Sequence, residues 1–185
     1  MTILPREFYS KDTVKVARNL LGKRIIRKIG QHKISGIITE TEAYRYKDDP
    51  ASHAFGKITE RNKIMFGNVG LSYVYFTYGM HFCFNVVARS SKIAAGAVLI
   101  RAIYPEKGIA FMQKNRGNVS LKNLTNGPAK LTQALIITKE HYGIDLTKNS
   151  ALYISEGIKT KKIIASPRIG IKKATDRLWN FKLEI

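Results

Sequence analysis

The spacing of apolar and polar positions changes period several times along the chain, and each change marks an element. Residues 10–22 carry the helical period: Val14, Ala17, Leu20 and Leu21 share a face, Ser10 stands as the cap, Asp12 complements the first-turn dipole, and Gly22 supplies the stop. Alternating runs at 24–29 and 33–44, separated by Gly30-Gln31-His32, predict an antiparallel hairpin. A second hairpin is predicted from the β-prone runs 73–77 and 82–87, with Tyr78-Gly79-Met80 between them; the glycine permits the reversal, and Tyr78 and Met80 lie near the tip. A strand at 97–104 follows, then a short basic helix over 105–117 and a helix from Pro128 through Leu131, Ala134 and Leu135 to Thr138. Short strands close the chain at 151–155, 162–165 and 168–171. Strands outnumber helices and pair locally, which predicts one α+β domain over residues 1–185, a curved and mainly antiparallel sheet with helices around it.

Two stretches carry polar or aromatic groups where the pattern calls for core. In the run 33–44, alternation sets Ile34, Gly36, Ile38, Glu40 and Glu42 on one face and Thr39, Thr41 and Ala43 on the other, so two carboxylates continue an apolar face. Arg101 interrupts Val98-Leu99-Ile100 and Ala102, and an arginine in an apolar strand needs an acid or a phosphate, because an unpaired buried charge is costly. In the second hairpin, Tyr73, Tyr75 and Thr77 point to one face, Val74, Phe76 and Tyr78 to the other, giving both faces aromatic planes. A strand buried on both sides produces the same pattern, and aromatic strands are usually core.

Charge tips that balance. The chain of 185 residues has a net charge of +19 and a pI near 10.1, which points to a polyanionic partner. Between Arg61 and Lys139 the only acid is Glu106, although an AT-rich genome that inflates lysine everywhere accounts for part of the excess. Glu40, Glu42, Asp48 and Asp49, by contrast, are four of only 13 acids and fall within ten residues. One cysteine, Cys83, allows no disulfide framework and implies a reducing compartment; with four scattered histidines it gives no zinc-ligand spacing. There is no signal-like or membrane-spanning run, so a cytoplasmic protein is expected.

Phosphate-cradling glycine loops and the Gly-x-Ser-x-Gly elbow are absent from the sequence. Carboxylates beside aromatic planes in a basic setting suit extraction of a base from duplex DNA, with aromatics sandwiching the base and an acid acting at the sugar. Two other readings stand beside it: a non-catalytic nucleic-acid-binding module that stacks bases on tyrosines, and a metal-dependent nuclease using Glu40, Glu42, Asp48 and Asp49.

A set of co-linear motifs then carries a resemblance. Glu40-Thr41-Glu42-Ala43-Tyr44, Ser52-His53-Ala54, Thr59-Glu60-Arg61-Asn62, Met65-Phe66, the 73–85 hairpin, Val98-Leu99-Ile100-Arg101-Ala102, Gly127-Pro128-Ala129-Lys130-Leu131 and Arg168-Ile169-Gly170-Ile171 together resemble the alkyladenine (3-methyladenine) DNA glycosylase family of bacterial type. The resemblance implies a monomer with a protruding hairpin that intercalates into DNA. It would hydrolyse the N-glycosidic bond of alkylated or deaminated purines in double-stranded DNA of the bacterial nucleoid, without metal, cofactor or obligate protein partner. Position by position, Glu42 resembles the residue that activates water and Arg101 the arginine that holds that water. Tyr44, His53 and Tyr75 resemble the walls of the base pocket, and Asn85 the asparagine set against the guanine amino group. Tyr78 resembles the intercalating wedge, Met65 and Met80 its supports, Arg61 and Lys130 the phosphate contacts. Leu178-Trp179-Asn180-Phe181 departs from the commoner bacterial pattern, which has proline before the tryptophan and arginine after it. The order of preference among 3-methyladenine, 7-methylguanine, hypoxanthine and ethenoadenine stays open.

Overall fold

The computed structural model of the chain describes residues 2–77, 79–160 and 162–184. Its fold is α+β, built on an eight-stranded antiparallel sheet. The strands are β1 (Arg24–Ile29), β2 (His32–Arg45), β3 (Ser72–Thr77), β4 (His81–Val87), β5 (Gly96–Lys107), β6 (Leu152–Ser155), β7 (Ile163–Ser166) and β8 (Asn180–Leu183). They run in the order β3-β4-β5-β2-β1-β6, and β8, carrying β7, pairs with β2. The long strand β2 is the spine. β5 lines one edge of it, while the other edge is shared, β1 taking Ile37 and the residues before it and β8 taking Glu40, Thr41 and Glu42.

The helices are α1 (Arg6–Tyr9), α2 (Thr13–Leu20), α3 (Ile109–Asn115), α4 (Leu121–Leu124) and α5 (Pro128–Ala134). Asp12, not Ser10, caps α2: its carboxylate accepts from the amides of Val14 at 3.0 Å and Lys15 at 3.2 Å. An ionised acceptor holds those amides better than a hydroxyl, and the Ser10 hydroxyl is already given to the Arg6 carbonyl. Val16, Ala17 and Leu20 are fully buried against the sheet, each larger side chain contributing roughly 2 kcal/mol of burial. Gly22 ends the helix at φ +79°, where a Cβ would stand 2.6 Å from Thr160 Cγ2.

Elsewhere the pattern misplaced boundaries. β5 runs through Pro105 to Lys107, so the basic helix starts only at Ile109, after Gly108 at φ +75°. α5 stops at Ala134 and Ile136 turns left-handed at φ +49°, short of Thr138. Residues 168–171 are not a strand; the last strand is β8, Asn180–Leu183, which pairs with β2 and was not read from the sequence.

The most consequential departure is a pair of irregularities facing each other. The β2–β5 register shifts between Ile38 and Glu40 and shifts back between Glu40 and Thr41, leaving Thr39 and Arg101 as extra residues on their strands. Ile34 and Ile38 belong to the main core, and so does Ala43, five residues after Ile38; on β5 the core takes Val98 and Ile100 but then Ile103. Both strands therefore change parity at this point. Thr41 bonds the Ala17 carbonyl on the helix side, so Glu40 and Glu42 leave the apolar face that strict alternation assigned to them.

Candidate active site

On the face away from the main core, the sheet holds an aromatic cleft of about 420 Å³, within the roughly 300–1,000 Å³ of small-molecule sites. Tyr44 on β2, His53 in the loop after it, and Tyr73 and Tyr75 on β3 form its walls, with Asn85 on β4 and Leu99 and Arg101 on β5 behind. The β3–β4 ladder carries out the alternation read from the sequence: Tyr73, Tyr75 and Thr77 line the cleft, whereas Val74 enters the main core and Phe76 is exposed on the opposite side.

His53 stands edge-on to Tyr75, ring centroids 4.7 Å apart, and its Nδ1 lies 2.8 Å from the Tyr73 hydroxyl. Its loop is tied by Asn62, buried, whose amide donates to the carbonyls of His53 at 2.7 Å and Lys57 at 3.1 Å. Removal of the ring from water among the tyrosines, and then the Arg61 guanidinium, push His53 down to about 4; the imidazole is neutral at physiological pH. Burial pushes the Tyr73 phenol up to about 12, and Tyr44 and Tyr75 further up. The Cys83 thiol in the same wall is also raised by burial. Every hydroxyl and thiol here keeps its proton, so the walls are neutral π faces.

Glu42 lies behind the wall, 0% exposed. Its Oε1 accepts from the Ile169 amide at 2.7 Å and from Asn180 Nδ2 at 3.0 Å; its Oε2 accepts from the Tyr44 hydroxyl at 2.7 Å and from Arg101 Nη1 at 3.4 Å. Four donors on two oxygens are the complement of an ionised carboxylate. Arg101 rests more firmly on Glu40, Nε to Oε1 at 2.9 Å, and Asn180 Nδ2 also donates to that Glu40 oxygen at 2.8 Å. The partner that Arg101 requires in its apolar strand is thus the acid pair itself.

A second ion pair braces the wall from behind. Arg168 and Asp49 have fully buried side chains and meet in a two-pronged contact with both distances at 2.6 Å. The Arg168 guanidinium lies over Tyr44 at 4.7 Å and over Trp179 at 5.2 Å. It thereby fixes the ring that lines the cleft and the loop whose next residue, Ile169, donates to Glu42.

Of the residues proposed from sequence, Tyr44, His53, Arg61, Met65, Tyr75, Asn85 and Arg101 all line this cleft, and Glu42 touches three lining residues, Tyr44, Arg101 and Ile169. Arg61 is exposed at the rim with its guanidinium 4.7 Å over Tyr75. Lys130, bonded to Asn126 at 2.8 Å, sits on α5, whose Pro128 borders the cleft. Met65 and Met80 are not brought together: Met65 is 1% exposed in a small core under the cleft, whereas Met80 is 69% exposed beside a different hollow with Phe82, Thr132 and Ile136. Met65 follows its 3-10 turn, Lys63–Phe66, inward, so it is placed as a floor residue and not at the hairpin tip. Tyr78 lies outside the described residues. Asp48 and Asp49 do not join Glu40 and Glu42; Asp48 faces Arg45 and Arg177, and Asp49 is sealed by Arg168. Asn62, Arg168, Asn180 and the rim lysines Lys172 and Lys173 were not singled out as site residues from the sequence. An isolated asparagine gives no periodic signal, and Arg168 entered only within a supposed strand and the motif Arg168-Ile169-Gly170-Ile171, with no role of its own.

Aromatic walls, a cationic rim and a buried acid–arginine cluster are features suited to an enzyme acting on nucleic-acid bases. The chain matches the family model described as methylpurine-DNA glycosylase (MPG) over residues 7–184. It is 46% identical to a Carboxydothermus hydrogenoformans protein over 98% of this chain and 95% of that relative, and 43% identical to one from Desulfitobacterium hafniense over 100% and 96%. A Prosthecochloris aestuarii protein is 46% identical over 94% of this chain and 84% of its own. All three carry the name "Putative 3-methyladenine DNA glycosylase". The chain belongs to the methylpurine-DNA glycosylase family, and with it to the hydrolases of N-glycosyl bonds in DNA.

Proposed function

We propose that the protein is a monofunctional, monomeric glycosylase of base excision repair that takes alkylated or deaminated purines, 3-methyladenine among them, out of duplex DNA. The observation that carries this reading is the placement of Glu42: fully buried, with one oxygen bonded to Tyr44 of the aromatic wall and in stretched contact with Arg101 of the cleft floor. In this reading the flipped purine stacks between Tyr44, His53 and Tyr75, and an electron-poor alkylated ring gains most from neutral tyrosine faces. Tyr78 fills the vacated stack, Met80 beside it meets the duplex, and Met65 supports the pocket floor. Arg61 and Lys130 contact phosphates.

Water adds to the sugar C1′ while the glycosidic electron pair leaves with the purine, and the water's proton passes to Glu42. Arg101 steadies the carboxylate and the water. The exclusion of guanine falls to Asn85, 3% exposed, its Nδ2 anchored 3.1 Å from the Tyr73 carbonyl so that the amide cannot swing away. The nuclease reading loses support, because Asp48 turns to Arg45 and Arg177 and Asp49 to Arg168, leaving only Glu40 and Glu42 together, and those share Arg101. The binding-module reading gives no role to a fully buried acid.

The test is incubation of a purine-methylated duplex with the protein in EDTA. Free methylated base should appear, with strand breaks only after alkali. Metal-dependent breaks, or retention of every base, would reject the proposal.

A further inference from the structure

Glu42 has no free oxygen lone pair for a water, so one of its four contacts must yield. Oε1 is held by two close donors, the Ile169 amide of the loop after β7 at 2.7 Å and Asn180 of β8 at 3.0 Å. At Oε2 the Tyr44 hydroxyl is close at 2.7 Å, but Arg101 Nη1 stands at 3.4 Å, the longest of the four and on a residue that itself lines the cleft. What keeps Arg101 at that distance is Glu40, which draws Nε to 2.9 Å. Asn180, itself fully buried and paired across from Glu42, spans the two acids with one amide nitrogen, and its Oδ1 is held by Ser166 at 3.3 Å.

Resting on the excision reading above, we infer that Glu40 and Asn180 are positioning residues: Glu40 holds Arg101 off Glu42 Oε2, Asn180 fixes the other oxygen, and the attacking water enters at Oε2 beside Arg101. A neutral amide is the fitting bridge. It donates to both carboxylates without cancelling either charge, so that Arg101 stays divided between them. The charged and titratable groups around Glu42 are Glu40 and Tyr44 on β2, Arg101 on β5, Cys83 on β4, Arg168 in the loop, and Lys182 on β8, which lies 3.7 Å from Glu40.

The experiment is the pH profile of single-turnover base release from a methylated duplex, read alongside DNA affinity and thermal midpoint, for the parent, Glu40→Gln, Asn180→Ala and Glu42→Gln. Glu40→Gln leaves Arg101 with one carboxylate. Arg101 should close on Oε2, lowering the plateau rate by about 10²-fold and moving the acid limb to lower pH, because a negative neighbour has gone. Asn180→Ala removes a donor to the carboxylate, so its acid limb should move to higher pH as its plateau falls. Duplex affinity should stay within about threefold of the parent in both, the change being confined to the chemical step. Opposite displacements of the two limbs are not produced by general loosening of the fold. If Glu42→Gln is inert while Glu40→Gln and Asn180→Ala keep the parental plateau and limb, the positioning inference is overturned and the excision reading survives. An active Glu42→Gln removes the reading beneath both. Should one variant fail to fold, the limb of the other decides.

Discussion

At the scale of single residues, the site works by keeping polar groups in one protonation state. His53 is the clearest case, since burial and Arg61 lower it to about 4 from an ordinary value near 6.5. The unfolded chain therefore binds a proton on this residue between pH 6.5 and 4 that the folded protein refuses. Stability tied to His53 is complete above about pH 6.5 and drains away as the pH falls toward 4. His53→Phe should flatten the loss of stability across that window, measured by chemical denaturation at pH 7 and pH 5; an equal loss in the variant would assign it elsewhere, His141 being the other lowered histidine. Asn85 is held just as firmly, by a hydrogen bond and not by charge. Its anchored amide lines the cleft at a fixed point, so Asn85→Ala should raise single-turnover release of guanine opposite thymine by at least about tenfold, while hypoxanthine release changes less. Guanine that stays inert while hypoxanthine release drops would make Asn85 a structural tie of β3 to β4.

At the scale of elements, the site is assembled where two strands leave their regular register and a third arrives from the end of the chain. The parity change at Thr39 turns Glu40 and Glu42 off the apolar face to meet Arg101, which lines the cleft with Leu99, and β8 brings Asn180 opposite Glu42. This explains what could be read in advance. Tyr73, Tyr75 and Asn85 were legible because β3 and β4 keep the strict alternation on which the reading depends. Glu40, Glu42 and Arg101 were legible as anomalies, charges amid apolar runs, but not the face they take, because a bulge leaves no mark in a period-two pattern. The roles of Asn180 and Arg168 were not legible: their partners lie 138 and 119 positions away, and no local pattern encodes such pairings. The Arg168–Asp49 pair ties this late segment to the loop after β2, with both side chains wholly buried. Asp49→Asn should therefore leave an uncompensated cation beneath Tyr44 and destabilise the protein by about 3–5 kcal/mol, read as a shift in urea midpoint at unchanged slope. A loss below about 1 kcal/mol would mean that the aromatic faces of Tyr44 and Trp179 suffice to hold Arg168.

At the scale of the whole molecule, the question is how a protein of net charge +19 uses that charge. Its 13 acids engage part of its 32 lysines and arginines locally, Arg24 with Glu106, Arg45 with Asp12 and Asp48, Arg101 with the acid pair and Arg168 with Asp49, and the surplus of +19 stands over and above these pairs. These arginines shape the fold and its cleft and add little to a long-range field. The cations around the cleft mouth differ. Arg61 caps Tyr75, Lys172 and Lys173 border the opening in the loop after Arg168, and Lys130 stands on the adjacent helix. A duplex delivering one purine into the cleft would lay its backbone across this rim. Each phosphate neutralised there should add about −0.9 to the slope of log affinity against log salt. Arg61→Ala and the double variant Lys172→Ala/Lys173→Ala should each flatten that slope by about one unit or more, with undamaged and methylated duplexes affected alike, because phosphate contacts position DNA without reading the base. Substitution of Lys33 and Lys148, exposed and not among the residues lining the cleft, should leave the slope in place. If all of these variants changed it equally, the excess charge would act as a diffuse field over the whole surface and the rim would have no privileged part in seating the duplex.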